Sequence, residues 1–256
     1  MVNPVHELAT ALIWLTRLPV ARLLPRDLAP LAQSAWAFPL VGMVVGLVAA
    51  LPLVAGLSLG MPASVAALLG IGAAILTTGG LHEDGLADFA DSAGATTRER
   101  RLEIMRDSRI GSYGVLALGC VLGLRVAALA ALAGQGAWVA AAALIGVAGA
   151  SRTGMALGLG LMPPARMDGL GRQAGRPSRA GMLIALALGG LALAALCSGF
   201  PVQSWLVAGL AIAGAQLWLA ARAMRTIGGQ TGDVLGAMQQ LGEAAGLVAL
   251  TVFGGR

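Results

Sequence analysis

The sequence predicts an all-α, polytopic membrane helix bundle of about six to seven spans, with an N-terminal interfacial or re-entrant helix ahead of them. Three observations carry this. The 256 residues are 57% hydrophobic and only 11% charged, where soluble domains carry about 25% charged residues. Mean hydropathy is +0.82, and 17 Arg with 12 acidic side chains cannot make the polar skin that a soluble fold of this size needs. Finally, uncharged stretches long enough to cross about 30 Å of hydrocarbon recur along the chain.

The elements follow in order. An apolar run from Leu8 to Leu15 precedes Arg17, Arg22 and Arg26, the reverse of a secretory signal with its leading positive region. It is too short to span, so residues 5–20 read as an interfacial or re-entrant helix. Spans are expected at about 35–59, 61–78, 113–133, 137–160, 181–200 and 202–221, with a seventh at about 235–253. Arg125, Arg152 and Glu243 interrupt three of these. The first six pair into hairpins through charge-free turns near Gly60, Gly134-Gln135-Gly136 and Gly199-Phe200-Pro201.

Every charged connector lies on the other side of those hairpins. Residues 1–34 hold three Arg, 79–112 five, 161–180 four and 222–233 two, so 14 of 17 Arg share one face, which the positive-inside rule makes cytoplasmic. Eleven of the twelve carboxylates share it too. The rule does not require that, and it points to a polar site at this rim. The whole chain, 1–256, reads as one membrane domain: 1–34 an interfacial segment, 79–112 and 222–233 active-site segments, 161–180 a basic loop.

A formal charge of +5 and a pI near 10.9 would suit nucleic acid, but no basic run is interleaved with aromatics and the chain has only ten Phe, Trp and Tyr; nucleic-acid binding is not expected. The absence of Lys beside abundant Ala and Gly reads as a codon-composition bias. Cys120 and Cys197 fall in apolar stretches without metal or redox spacing and read as small buried hydrophobes.

The densest information is Gly79-Gly80-Leu81-His82-Glu83-Asp84-Gly85-Leu86-Ala87-Asp88-Phe89-Ala90-Asp91-Ser92. At about 100° per residue, Asp84, Asp88 and Asp91 fall within a wedge of about 60° on one helical face. An unpaired Asp at full membrane depth costs roughly 2.5–3.5 kcal/mol, so three need a counter-cation. Oxygen ligands select a hard ion, and Mg²⁺ held by a few carboxylates plus substrate phosphates fits better than zinc. A solvated face paired with the Arg98 to Arg106 group is the plain alternative. His82 suits a proton carrier, a phosphate donor, a cap or a packing residue.

Two further patches lie on the same face. In Arg106-Asp107-Ser108-Arg109-Ile110-Gly111-Ser112-Tyr113-Gly114, two Arg, the Ser112 hydroxyl, Gly111 and Gly114 at a helix start form an anion cradle, or else a juxtamembrane anchor with a turn. In Gly228-Gly229-Gln230-Thr231-Gly232-Asp233, Thr231 and Asp233 either cap the last helix or complete a phosphate and metal site. Arg125 and Arg152 inside spans are functional candidates by default, with pairing to Glu243 or to carbonyls equally open. Arg166, Arg172, Arg176 and Arg179 make a basic loop suited to the membrane surface.

These motifs resemble the cobalamin synthase (adenosylcobinamide-GDP ribazoletransferase) family. The matching pieces are Thr16-Arg17-Leu18-Pro19-Val20, Phe38-Pro39-Leu40-Val41-Gly42, the Gly79 to Asp91 block, Arg106 to Gly114 and Gly228 to Ala237, in family order over nearly the whole chain. Position 83 is often apolar and position 92 often Gly in the family, where this chain has Glu83 and Ser92. The resemblance implies a multi-pass inner-membrane transferase using Mg²⁺, in which a ribose hydroxyl of α-ribazole, or of its 5′-phosphate, attacks the cobinamide-bound phosphate of adenosylcobinamide-GDP and releases GMP. On it, Asp84 and Asp88 are expected as metal ligands, with Glu83 as a further candidate. Asp91 is expected as ligand or general base, with His82 the competing base. Arg106, Arg109 and the Gly111 to Gly114 turn, including Ser112, are expected to hold phosphates, and Thr231 and Asp233 to orient or ligate. Self-association is left open.

Two rivals fit less well. A CDP-alcohol phosphotransferase requires an Ala-Arg pair shortly after Asp-Gly, whereas Asp84-Gly85 is followed by Leu86-Ala87-Asp88. A secondary transporter of an anionic substrate places its ionisable residues near the midplane in repeated halves, and the Asp block is not repeated.

Overall fold

A computed structural model describes residues 3–20, 28–166 and 174–253. Arg22, Arg26, Asp27, Asp168 and Arg172 of the charge census lie outside the described residues. Helix α1 (Pro4–Leu15) starts on Asn3, whose side chain accepts from Val5 N at 3.0 Å, with Pro at the first position. Its 12 residues reach about 18 Å, too short to cross. It ends at Leu15 because Thr16 turns extended and ties its hydroxyl back to the Leu12 carbonyl at 2.7 Å.

A short helix α2 (Leu31–Ser34) and a 3₁₀ turn (Ala35–Ala37) lead without a gap into α3 (Phe38–Ser58), which makes a tight hairpin with α4 (Ala63–Thr78). Gly79 and Gly80 both take left-handed backbone, φ 69° and 73°, which only glycine adopts without cost. The pair stops α4 and sends α5 (Leu81–Asp91) off at 90°. Helix α4 covers about 24 Å by itself, and the right-angle turn takes α5 out of line with it.

The chain continues through α6 (Arg98–Ile104), α7 (Ser112–Ala133), α8 (Ala137–Leu161), α9 (Arg179–Leu196), α10 (Val202–Ile227) and α11 (Gly232–Phe253). Among the described residues, five helical segments are long and apolar enough to cross a membrane: Leu31–Ser58, α7, α8, α9 and α10. The bent α4–α5 pair makes six if taken as one span. The three hairpin turns fall where the sequence placed them. Two boundaries moved. Helix α9 stops at Leu196, ahead of the Ser198-Gly199-Phe200-Pro201 turn, and α10 runs on to Ile227, so Arg222 and Arg225 are helical and not connector.

The expected seventh span is the instructive difference. Helix α11 has 22 residues, enough for the crossing, but Gln239, Gln240 and Glu243 in its middle take it below the apolarity of a lipid-facing span. The bundle solves this by enclosing it. Val234, Ala237, Leu247 and Leu250 are fully buried, and α5, α7, α8 and α10 pack around it. Helix α8 is its inner neighbour, with most of its apolar stretch buried inside the protein, whereas α7, α9 and α10 leave most of theirs facing outward. Cys197 is buried as expected, but Cys120 is exposed on the outer face of α7.

Candidate active site

Adjacent residues of α5 face opposite ways. Glu83 and His82 are buried, whereas Asp84 is exposed and Asp88 and Asp91 are half-buried. On the outer face, Gly85 brings α5 against the start of α11. A Cβ there would lie 2.8 Å from the Asp233 Cα and carbonyl oxygen, so any larger residue forces the two apart. This contact delivers Asp233 to Asp84 and Asp88 from almost 150 residues away.

Thr231 caps α11 by accepting from Val234 N at 3.2 Å, and its hydroxyl donates to Asp233 Oδ2 at 3.1 Å. Arg166 adds a 3.0 Å ion pair to the same oxygen. Thr231 thus takes the capping role, and Asp233 stands beside the α5 carboxylates. Its neighbourhood is pinned by Arg98, which donates to the Ile227 carbonyl at 2.8 Å and the Ala165 carbonyl at 2.7 Å, and by reciprocal backbone bonds between Pro163–Ala165 and Gln230.

Asp88 records the crowding. Burial, followed by the charges of Asp84, Asp233 and Asp91, pushes its carboxyl up to about 7, with Arg166 opposing. Burial also raises Asp233, against Arg166 and Thr231. Burial and the nearby Arg152 and Arg125 guanidiniums hold the His82 imidazole well below its ordinary range.

The expected carboxylate set separates in three directions. Asp91 accepts from Gly111 N at 2.7 Å and Gly114 N at 2.8 Å, so it caps α7 from another helix. A Cβ on Gly111 or Gly114 would come within 2.4 Å of its oxygens. The anion in the expected phosphate cradle is thus the protein's own Asp91. Glu83 turns inward, where Oε1 accepts from Gln240 at 2.8 Å and from Arg125 at 3.4 Å. Asp84 and Asp233 act on Asp88 most strongly of the nearby carboxylates, ahead of Asp91. Among the described residues, no three His, Cys, Asp or Glu side chains come close enough to hold a metal ion unaided. Mg²⁺ commonly takes one or two carboxylates and completes its shell with water and substrate phosphates, and this donor set suits that arrangement.

Arg109 closes an exposed surface pair with Asp107 at 2.6 Å; Arg106 and Ser112 are exposed. Arg17 is the residue the sequence left without a role. Its backbone N–H donates to the Thr77 carbonyl at 2.7 Å, and its side chain lies over Gly79, where a Cβ would meet its Nε at 2.6 Å. It lines an open cavity of about 680 Å³ together with Thr78, Gly80, Glu83 and Asp84. The signal was there: a lone cation in a Thr-Arg-Leu-Pro motif directly after an apolar helix.

Beneath the site lies a buried polar layer. Arg125 donates to Gln240 at 2.8 Å and pairs with Glu243 and Glu83; Glu243 also accepts from Gln239 and faces Arg152 at 3.8 Å. Arg152 in turn donates to the Ala148 carbonyl at 2.9 Å. Two Arg face two Glu, a neutral set, and pairing rather than substrate contact explains both intramembrane arginines.

The family model for cobalamin-5-phosphate synthase matches residues 7–251. The chain belongs to that family. The cobalamin-5-phosphate synthase relatives include a protein of Bradyrhizobium diazoefficiens, 45% identical over 98% of this chain and 95% of its own length. One of Azorhizobium caulinodans is 45% identical over 96% of each, and one of Xanthobacter autotrophicus 44% identical over 98% and 97%. All three carry the name adenosylcobinamide-GDP ribazoletransferase. No solved structure matches the chain.

Proposed function

We propose that this cobalamin-5-phosphate synthase family member is an adenosylcobinamide-GDP ribazoletransferase that works with Mg²⁺ at the rim where α5 meets α11. A ribose hydroxyl of α-ribazole, or of its 5′-phosphate, forms a new P–O bond to the phosphorus attached to cobinamide. The bond to the outer phosphate breaks, GMP leaves, and one proton is released from the hydroxyl. The observation that carries this is the meeting of Asp84, Asp88 and Asp233 across Gly85, three carboxyl groups beside an open cavity.

One or two of Asp84, Asp88 and Asp233 would hold the metal, with water and substrate phosphates completing its shell. When bound, Mg²⁺ supplies neutralisation of pyrophosphate charge and a better leaving phosphate. The chain's residues do the rest by position, since phosphoryl transfer asks for little covalent help. Arg17 offers a guanidinium to phosphate oxygens in the large cavity. Arg166 fixes the orientation of Asp233, and Asp91 fixes α7 against α5. The excess of Arg on this face supports a cytoplasmic site in the inner membrane.

The test is direct. Purified protein in lipid vesicles, given adenosylcobinamide-GDP and α-ribazole, should release GMP with Mg²⁺ and stop on chelation with EDTA. No GMP above a protein-free blank ends the transferase reading, and GMP release undiminished by EDTA ends the metal reading.

A further inference from the structure

Asp84 stands where two cavities meet. One is the open cavity of about 680 Å³ with Arg17. The other, about 140 Å³, is lined by Leu15, Phe38, Met155 and Leu159, with Asp84, Asp233 and His82 at its polar end. His82 is 1% exposed and its Nε2 has no hydrogen-bond partner. A buried polar atom left unpaired costs about 1–3 kcal/mol, and such an atom lining a cavity marks a place where a ligand completes the protein.

We propose that the smaller cavity seats the aromatic base of α-ribazole, with His82 Nε2 as the donor that reads it. The inference rests on the transferase reading and adds the location of the acceptor substrate. An apolar cavity of about 150 Å³ lined by Leu, Ile and Phe holds a benzene ring, so about 140 Å³ takes one six-membered ring, here the carbocycle of the base, with its nitrogen-bearing ring toward the polar end.

The polarity of the lining selects which one. A guanine edge carries several donors and acceptors that Phe38, Met155 and Leu159 would leave unpaired, at a cost per group that strongly rejects it. The guanosine end therefore belongs in the open cavity. A benzimidazole riboside has an apolar carbocycle and one free in-plane ring nitrogen, an acceptor matched to an imidazole N–H. The ribose sits on the other ring nitrogen, and the cavity's polar end at Asp84 and Asp233 gives it a route to the reacting phosphate. Two substrates thus approach one carboxylate from two compartments, as a transfer between them requires.

The experiment measures α-ribazole binding by equilibrium dialysis without the second substrate, alongside the KM of each substrate, for wild type, His82→Phe and Ala174→Leu. Ala174 lines the small cavity, and Leu narrows it without touching His82. Both variants should weaken α-ribazole binding by about tenfold or more, the scale of one lost hydrogen bond or a methyl-sized clash. The KM for adenosylcobinamide-GDP should stay within about twofold. If either variant fails to fold, the other still decides. Unchanged α-ribazole binding in the folded variants, with GMP formed, overturns the cavity and leaves the transferase reading standing. A lower kcat in His82→Phe with unchanged α-ribazole affinity assigns His82 to proton transfer and also overturns it. Wild-type binding that both variants lose, without any GMP release, supports the cavity while removing the transferase reading.

Discussion

Glu83 and Asp84 are neighbours in sequence and opposites in environment. Inward of α5, Glu83, Glu243, Arg125 and Arg152 form a buried set whose charges cancel and whose amide neighbours Gln239 and Gln240 donate to Glu243 and Glu83. Outward, Asp88 feels the charges of Asp84 and Asp233, and Arg166 pairs with Asp233. The difference teaches how to separate structure from chemistry in a membrane bundle. A charge set closed on itself holds helices together, whereas a set left in deficit is completed by something the protein binds.

The comparison breaks most sharply on the inner side. Glu243→Ala leaves Arg125 and Arg152 buried without their shared partner and should cost about 3–5 kcal/mol of stability. Denaturation in detergent measures this, and activity per folded molecule should stay near wild type. On the outer side, Asp84→Asn should reverse that pattern, lowering kcat about 10²–10³-fold, the scale of removing one preorganised electrostatic contact, with the melting curve unmoved. A variant of either kind that moved both quantities equally would merge the two regions into one.

Asp91 sits between the regions and sharpens the boundary. As the cap of α7, Asp91→Ala should cost about 0.5–2 kcal/mol and leave the Mg²⁺ concentration for half-maximal rate unchanged. A rise in that concentration would return Asp91 to the metal group. The graded test is the pH response of Asp88. With its carboxyl pushed up to about 7, the folded protein binds more protons than the unfolded chain between the ordinary carboxylate range and about 7. Metal-free stability therefore falls as pH rises through that window. Mg²⁺ must displace the same proton, so the half-maximal concentration should rise by up to about tenfold per unit as pH drops below 7. Asp88→Asn should flatten both slopes.

Much of this was legible along the chain. The hairpins, the charged rim and the Asp84–Asp88 pair follow from hydropathy, connector charge and the 100° helical step, all of which act over a few residues. Asp91 shares the same stripe, yet its oxygens go to Gly111 and Gly114, because Ser92-Ala93-Gly94 turns the chain and brings the start of α7 beneath it. Arg125 and Arg152 were visible as anomalies, but their partners come from α5, α8 and α11, and no local spacing joins them.

The sequence by itself determined that lipid is the solvent, where the chain reverses, and which rim carries the acid, because transfer energies and helical periodicity are properties of short segments. Only the tertiary structure decided that the seventh helix is an enclosed axis, that Glu83 serves the interior and Asp84 the surface, and that Gly85 joins Asp233 to the α5 carboxylates. Those outcomes depend on which helices touch, and a contact between residues 85 and 233 is settled by packing across the whole bundle.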